Sequence, residues 1–195
     1  SAALNNIAGF ADQALLEIRT TSYLLHPPLL DEAGLAAAVR WYTEGFSQRS
    51  GIDVKVTFPP NSERIPKHVE MVLFRLLQES LTNAHRHSHA SSVNITLKDN
   101  SEEVTLEVHD NGQGIAPELL SRLQKTNSNA GVGVAGMRER INDLNGQMQI
   151  ASSPSGLWSG MLQRRQTTSP VSIAASATVV IMMLNLRDIR FMTAQ

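Results

Sequence analysis

Glu79, Asn83 and His87 stand four residues apart in the run Gln78-Glu79-Ser80-Leu81-Thr82-Asn83-Ala84-His85-Arg86-His87. In a helix that spacing places all three on one face. A carboxylate and an amide oxygen stacked there suit a hydrated magnesium ion, which takes few protein ligands and completes its shell with water and substrate phosphates. Arg86 and His87 would reach phosphate oxygens from the same end. The bland alternative is a solvated helix face.

A second stretch, Asp110-Asn111-Gly112-Gln113-Gly114-Ile115, follows an alternating strand directly. An aspartate at a strand end can accept a hydrogen bond from an exocyclic amine, and the two glycines let the backbone turn tightly against a ligand. Alone, it reads first as a plain Asn-Gly turn. The third stretch is Gly131-Val132-Gly133-Val134-Ala135-Gly136-Met137-Arg138-Glu139-Arg140. Glycines ahead of a helix expose unpaired N–H groups to an anion, whose charge the helix dipole favours. A dinucleotide fold would need a strand directly before these glycines. Gln124 to Ala130 is polar and strandless, so that reading fails.

These stretches need elements to hold them. Leu4, Ile7, Ala11, Ala14, Leu15 and Ile18 recur at helical steps, which predicts a helix over 3–25 that Pro27 and Pro28 stop. A second helix is expected from Asp31 or Gly34 to Gly51. Ile52, Val54, Val56 and Phe58 then alternate with polar residues as a half-buried strand. Pro66 opens the longest helix, expected over 66–88, with Val69, Val72, Leu73, Leu76, Leu77 and Leu81 inward. Strands over 92–98 and 103–109 follow, then a short helix, a helix over 134–145 and a strand over 147–152. The order predicts an α+β fold with helices on one face of a mixed sheet.

Composition narrows the classes. The chain has 195 residues, 42% hydrophobic and 18% charged, which describes a globular protein. A net charge of −1 suggests neither nucleic acid nor an anionic membrane as partner. Cysteine is absent, which excludes disulfides and thiolate metal sites and fits a reducing cytoplasm. Val171 to Leu186 is uncharged but shorter than the roughly 20 apolar residues of a bilayer helix. The chain opens on Ser1 with no signal segment and reads as a piece of something longer.

Taken in order, the three stretches supply a magnesium face, an adenine acceptor and a phosphate cradle. The set resembles the ATP-binding (GHKL) domain shared by histidine kinases, the gyrase and heat-shock Hsp90 ATPases, and mismatch-repair proteins. Within that superfamily the resemblance is to sensor histidine kinases of two-component systems. Leu24-Leu25-His26-Pro27-Pro28-Leu29-Leu30-Asp31-Glu32, then Gly34-Leu35, is similar to the junction after the dimerisation helices in kinases that drive LuxR-type response regulators. The similarity spans about residues 4 to 156.

The resemblance implies a Bergerat-type α/β sandwich over 31–156, preceded over 1–30 by the second helix of a dimerisation hairpin whose first helix is missing. It implies ATP and magnesium as cofactors. Asn83 would hold the metal with Glu79, the polar or basic group beside the triphosphate, while Arg86 and His87 lie at its phosphates. Asp110 would take the adenine amine, with Gly112, Gly114 and Ile115 shaping that wall. Residues 116–132 would be a lid, and Gly131, Gly133, Val134, Gly136 and Met137 would line the phosphate side. The reaction implied is transfer of the γ-phosphoryl group to a histidine and onward to a response regulator, by a homodimer, in the cytoplasmic portion of a sensor that is soluble or membrane-anchored.

Two departures qualify this. No histidine precedes His26, which stands against two prolines and reads as packing or capping, so the acceptor histidine is expected on a helix this chain lacks. After Gly156 the expected Gly-Thr turn and final strand give way to a Ser/Thr/Ala-rich run over 157–195. There, Ala177 to Leu184 either supplies that strand after a long insertion or belongs to unrelated sequence. A degenerate, non-catalytic nucleotide-binding or dimerisation module is the alternative of a different class.

Overall fold

Helix boundaries in this chain follow from proline and glycine. The computed structural model describes residues 27–59, 65–99, 103–124, 132–153 and 177–185. The helix expected over 3–25, His26 and Gly131 lie outside the described residues, as does the expected lid beyond Gln124 up to Gly131. Helix α1 (Pro28–Ser50) begins on a proline, whose fixed φ and missing donor suit the first turn. It closes on Gly51 in the left-handed region (φ 73°), whose N–H bonds Ser47 O at 2.9 Å. Inside it, Gly34 breaks the helix with φ 79° and ψ 178°, a conformation open essentially to glycine alone.

Helix α2 (Lys67–Asn83) follows Pro66 and buries Val69, Leu73, Phe74, Leu76, Leu77 and Leu81. The helix expected to run unbroken to residue 88 instead widens into a π-helical turn over Ala84–Ser88, ended by His89 at φ 54°. Tyr42 of α1 meets Phe74 of α2 edge-on at 5.5 Å between ring centroids, and Phe46 meets His85 at 6.1 Å. Aromatic pairs of this geometry contribute about 0.5–1.5 kcal/mol beyond area burial. They hold the far end of α2, where the polar residues sit, against α1.

Among the described residues, five strands form one sheet in the order β1-β2-β3-β5-β4: β1 (Asp53–Thr57), β2 (Ser92–Asp99), β3 (Glu103–Asp110), β4 (Gln147–Ser153) and β5 (Ala177–Asn185). β1 runs parallel to β2, across the α2 crossover, and every other pairing is antiparallel. Val93, Ile95 and Leu97 of β2, Val104, Leu106 and Val108 of β3, and Met148 and Ile150 of β4 alternate inward. They join the apolar residues of α1, α2 and α4 (Val132–Asn142) in one core. The fold is α+β, a mixed sheet with helices packed on it. Truncating a fully buried residue such as Leu77 to Ala would cost about 2–5 kcal/mol.

Of the two readings left open for Ala177 to Leu184, the structure shows the strand: residues 177–185 form β5, which lies inside the sheet between β3 and β4 and bonds to both. Among the described residues, β4 reaches the rest of the sheet only through β5. Among the described residues no helix is long and apolar enough to cross a membrane.

Candidate functional site

Glu79 and Asn83, one turn apart near the end of α2, are both half-buried, and Asn83 Nδ2 donates to Glu79 Oε1 at 3.3 Å. That bond leaves Asn83 Oδ1 and Glu79 Oε2 as acceptor atoms on the shared face. Among the described residues no group of three or more His, Asp or Glu converges as a metal cage. Two oxygens on an open face fit magnesium, which keeps its waters and shares substrate phosphates, better than they fit a fully protein-ligated ion. Arg86 and His87 follow in the π-helical turn, both exposed, at the end of the same element. π-helical turns recur at functional sites because the extra residue re-aims side chains that an α-helix would stack.

Asp110 ends β3 at an inward register position, the same face as Val104, Leu106 and Val108, and is 7% exposed. Its Oδ1 accepts the N–H of Gly112 at 2.8 Å, which fixes the carboxylate relative to the turn behind it. In register, Asp110 pairs with Thr178 of β5, and Thr178 pairs with Ser152 of β4, so three polar positions form a row across the sheet end. Ser152 Oγ accepts the N–H of Ile115 at 2.7 Å. Gly114 takes φ 77° between these anchors, where a side chain would be strained.

The first and second stretches meet at Gly112. A Cβ built there would collide with the Ser88 carbonyl oxygen and side chain and stand 2.8 Å from Asp110 Oδ1, so only glycine lets the turn lie on the helix end. The first and third meet at Gly133. A Cβ there would collide with the Glu79 carboxylate, so the first turn of α4 rests directly on Glu79. Two bare glycines thus bring all three stretches to one place.

Two expected residues stand elsewhere. Gly136 lies one turn inside α4, where the i to i−4 pattern engages its N–H, so it has no free donor for a phosphate. Its carbonyl accepts from Arg140 Nη1 at 2.9 Å. The helix starts two residues earlier than expected, which moves the free N–H groups to the Gly133 turn. Met137 is 1% exposed, with its Sδ 3.9 Å from Ser80 Oγ. It braces α4 against α2 and does not line an open surface. Val134 is half-buried against the core, and Ile115 likewise.

Sequence reasoning missed several positions. Arg138 Nη2 donates to Leu123 O at 2.6 Å and ties α4 to α3 (Pro117–Gln124), the short helix entering the expected lid. Asn111 Oδ1 accepts the N–H groups of Ser91 and Ser92 at 3.0 and 2.9 Å. Glu70, buried to 2% exposure, accepts the Leu35 N–H at 3.4 Å just beyond the Gly34 break, and Lys67 pairs with Asp31 at 3.5 Å beside it. A carboxylate at the reopened helix start satisfies an orphan donor and favours the dipole. The sequence offered one signal for Glu70, a charge within the apolar stripe of α2. His109, next to Asp110 but at an outward position, has its pKa lowered by burial, against opposing pulls from Asp110 and Glu107.

Comparison with known proteins shows the family and the fold. Residues 68–177 match the family described as histidine kinase-, DNA gyrase B-, and HSP90-like ATPase. The chain is 32% identical over 152 residues to the signal transduction histidine-protein kinase/phosphatase DegS of Brevibacillus brevis, covering 78% of this chain and 38% of that one. It is 31% identical over 146 residues to the oxygen sensor histidine kinase NreB of Staphylococcus carnosus, covering 75% and 40%. It therefore spans well under half the length of these curated relatives. The histidine kinase domain of the Erythrobacter litoralis EL346 blue-light activated histidine kinase shares the fold, with a TM-score of 0.58 at 17% identity over 83% of this chain and 65% of that one.

Proposed function

The chain belongs to the histidine kinase-, DNA gyrase B-, and HSP90-like ATPase family, and on that premise we propose that it binds magnesium-ATP at the place where its three polar stretches meet. Asp110 accepts the adenine amine, against a wall shaped by Gly112, Gly114 and Ile115. Asn83 Oδ1 and Glu79 hold the metal, and Arg86, His87 and the free N–H groups at the start of α4 face the phosphates. The observation that carries this reading is the double contact of Gly112 on Ser88 and Gly133 on Glu79, which would put base, metal and phosphate groups within one ligand's reach.

ATP bound here donates its γ-phosphoryl group to a histidine on a dimerisation helix. The histidine nitrogen forms the new P–N bond as the bond to the β-phosphate oxygen breaks and ADP leaves. Positioning and charge neutralisation carry most of such a transfer. The phosphoryl group then passes to a response regulator, with LuxR-type output, from a homodimer paired through the segment before Pro27. Its cysteine-free composition fits a cytoplasmic setting.

Calorimetric titration with ATP and magnesium tests the site. Wild type should bind in a magnesium-dependent way, Asn83→Ala should lose that dependence, and Asp110→Asn should weaken ATP without weakening inorganic tripolyphosphate, because the amide turns one acceptor into a donor. Wild-type protein that is folded yet binds no ATP would overturn the reading.

A further inference from the structure

The residue between the two glycines of the second stretch makes contacts that its position in a turn does not require. Helix ends leave their last carbonyls without partners, and the π-helical turn ends at His87 and Ser88. Gln113 takes both carbonyls. Its backbone N–H bonds Ser88 O at 2.8 Å, and its side-chain Nε2 bonds His87 O at 2.9 Å. The neighbouring Gly112 lies in close contact with the same Ser88, and its own N–H is fixed on Asp110.

We infer that Gln113 is a positioning residue that sets the spacing between the adenine side and the phosphate side of the nucleotide site. The inference rests on the site proposed above. Asp110 stands at one end of this chain of contacts, bonded to the Gly112 N–H, and His87 at the other, its carbonyl bonded to the side chain of the next residue, Gln113. Gln113 is exposed, so its amide is not needed to fill the core. Without it the His87 carbonyl can hydrate at little cost to stability. What changes is the freedom of the Arg86-His87 turn relative to Asp110. A ligand that grips both ends at once feels that freedom, because it must be frozen out on binding. A ligand that grips one end does not.

The test compares three ligands on the 195-residue chain: magnesium-ATP, adenosine, and magnesium tripolyphosphate. Gln113→Ala should weaken ATP about three- to tenfold, the effect of one ordinary hydrogen bond, and leave adenosine and tripolyphosphate within twofold of wild type. Gln113→Lys, whose ammonium can still donate to His87 O, should recover most of the ATP affinity. Equal losses for all three ligands would mean general damage and overturn the inference, as would unchanged ATP affinity in Gln113→Ala. If wild type fails to bind ATP, the site reading falls and takes this one with it. Wild-type binding with an unaffected alanine variant removes only Gln113.

Discussion

Gly133, in the first turn of α4, lies against the carboxylate of Glu79, so closely that a Cβ at residue 133 would fall on Glu79 Oε1. The atoms in the way are the far end of a flexible side chain. Gly133→Ala is therefore accommodated by swinging Glu79 aside, and alanine favours the helix by up to about 1 kcal/mol. Thermal stability should stay level or rise slightly. The swing breaks the Asn83 to Glu79 bond, so magnesium-dependent ATP affinity should fall about tenfold, as expected for a charge-assisted bond. A melting curve and a titration on the same sample decide it. Lower stability with intact affinity would refute the account.

Gly112→Ala should behave oppositely. Here the added Cβ meets a backbone carbonyl and the start of a side chain, neither of which can turn away. The turn must lift off the helix end, straining the Gln113 N–H bond to Ser88 and the Gly112 N–H bond to Asp110. Overpacking of this kind costs about 1–3 kcal/mol. Urea denaturation should show the midpoint falling, with ATP binding weakened at every magnesium concentration. A variant as stable as wild type would show the contact to be slack.

Glu70 and Gly34 make a paired case at the other end of α2. Glu70→Ala leaves the buried Leu35 N–H without its acceptor and should cost about 1–3 kcal/mol. Glu70→Gln keeps a side-chain oxygen and should cost less. Gly34→Ala should cost about 1–3 kcal/mol through backbone strain alone, since its Cβ would sit at an ordinary 3.4 Å from Glu70 Oε1. Denaturation midpoints of the three variants suffice. Glutamine as damaging as alanine would mean that charge, and not the hydrogen bond, is what matters at Glu70.

His109 should leave a mark on the pH dependence of stability. Burial lowers its pKa below the ordinary 6.5, and Nε2 is buried with no hydrogen-bond partner among the described residues. A folded-state pKa below the unfolded one means that the unfolded chain binds the extra proton more readily. The stabilising contribution of neutral His109 is thus whole above pH 6.5 and is lost as pH falls toward the folded value. Unfolding free energies measured between pH 8 and pH 5 should decline less steeply in His109→Gln than in wild type. Identical slopes would show that the imidazole titrates as in water.

Much of the site can be read from local spacing. The four-residue step from Glu79 to Asn83 becomes a hydrogen bond because an α-helix stacks such residues. The alternation of Val104, Leu106 and Val108 already turns Asp110 inward, since a strand has a period of two. Glycine ahead of a helix signalled α4, but the helix begins at Val132, two residues before the expected start, which leaves Gly136 and Met137 inside it. An error of two residues in a boundary moves a free N–H by half a turn.

What the sequence by itself determined, among the described residues, is therefore most of the helices and strands, their inward faces and the residue types carried at their ends, because periodicity and backbone sterics act between near neighbours. Only the tertiary structure decided that β5 lies between β3 and β4, that the end of α2 widens into a π turn, and that Gly112 and Gly133 sit against Ser88 and Glu79. Each of the strand and glycine contacts joins residues far apart in the chain. A period-two pattern says which face of a strand is buried but not which strand lies beside it, and a glycine shows freedom of approach without showing what approaches. Those choices are made by packing the whole core at once.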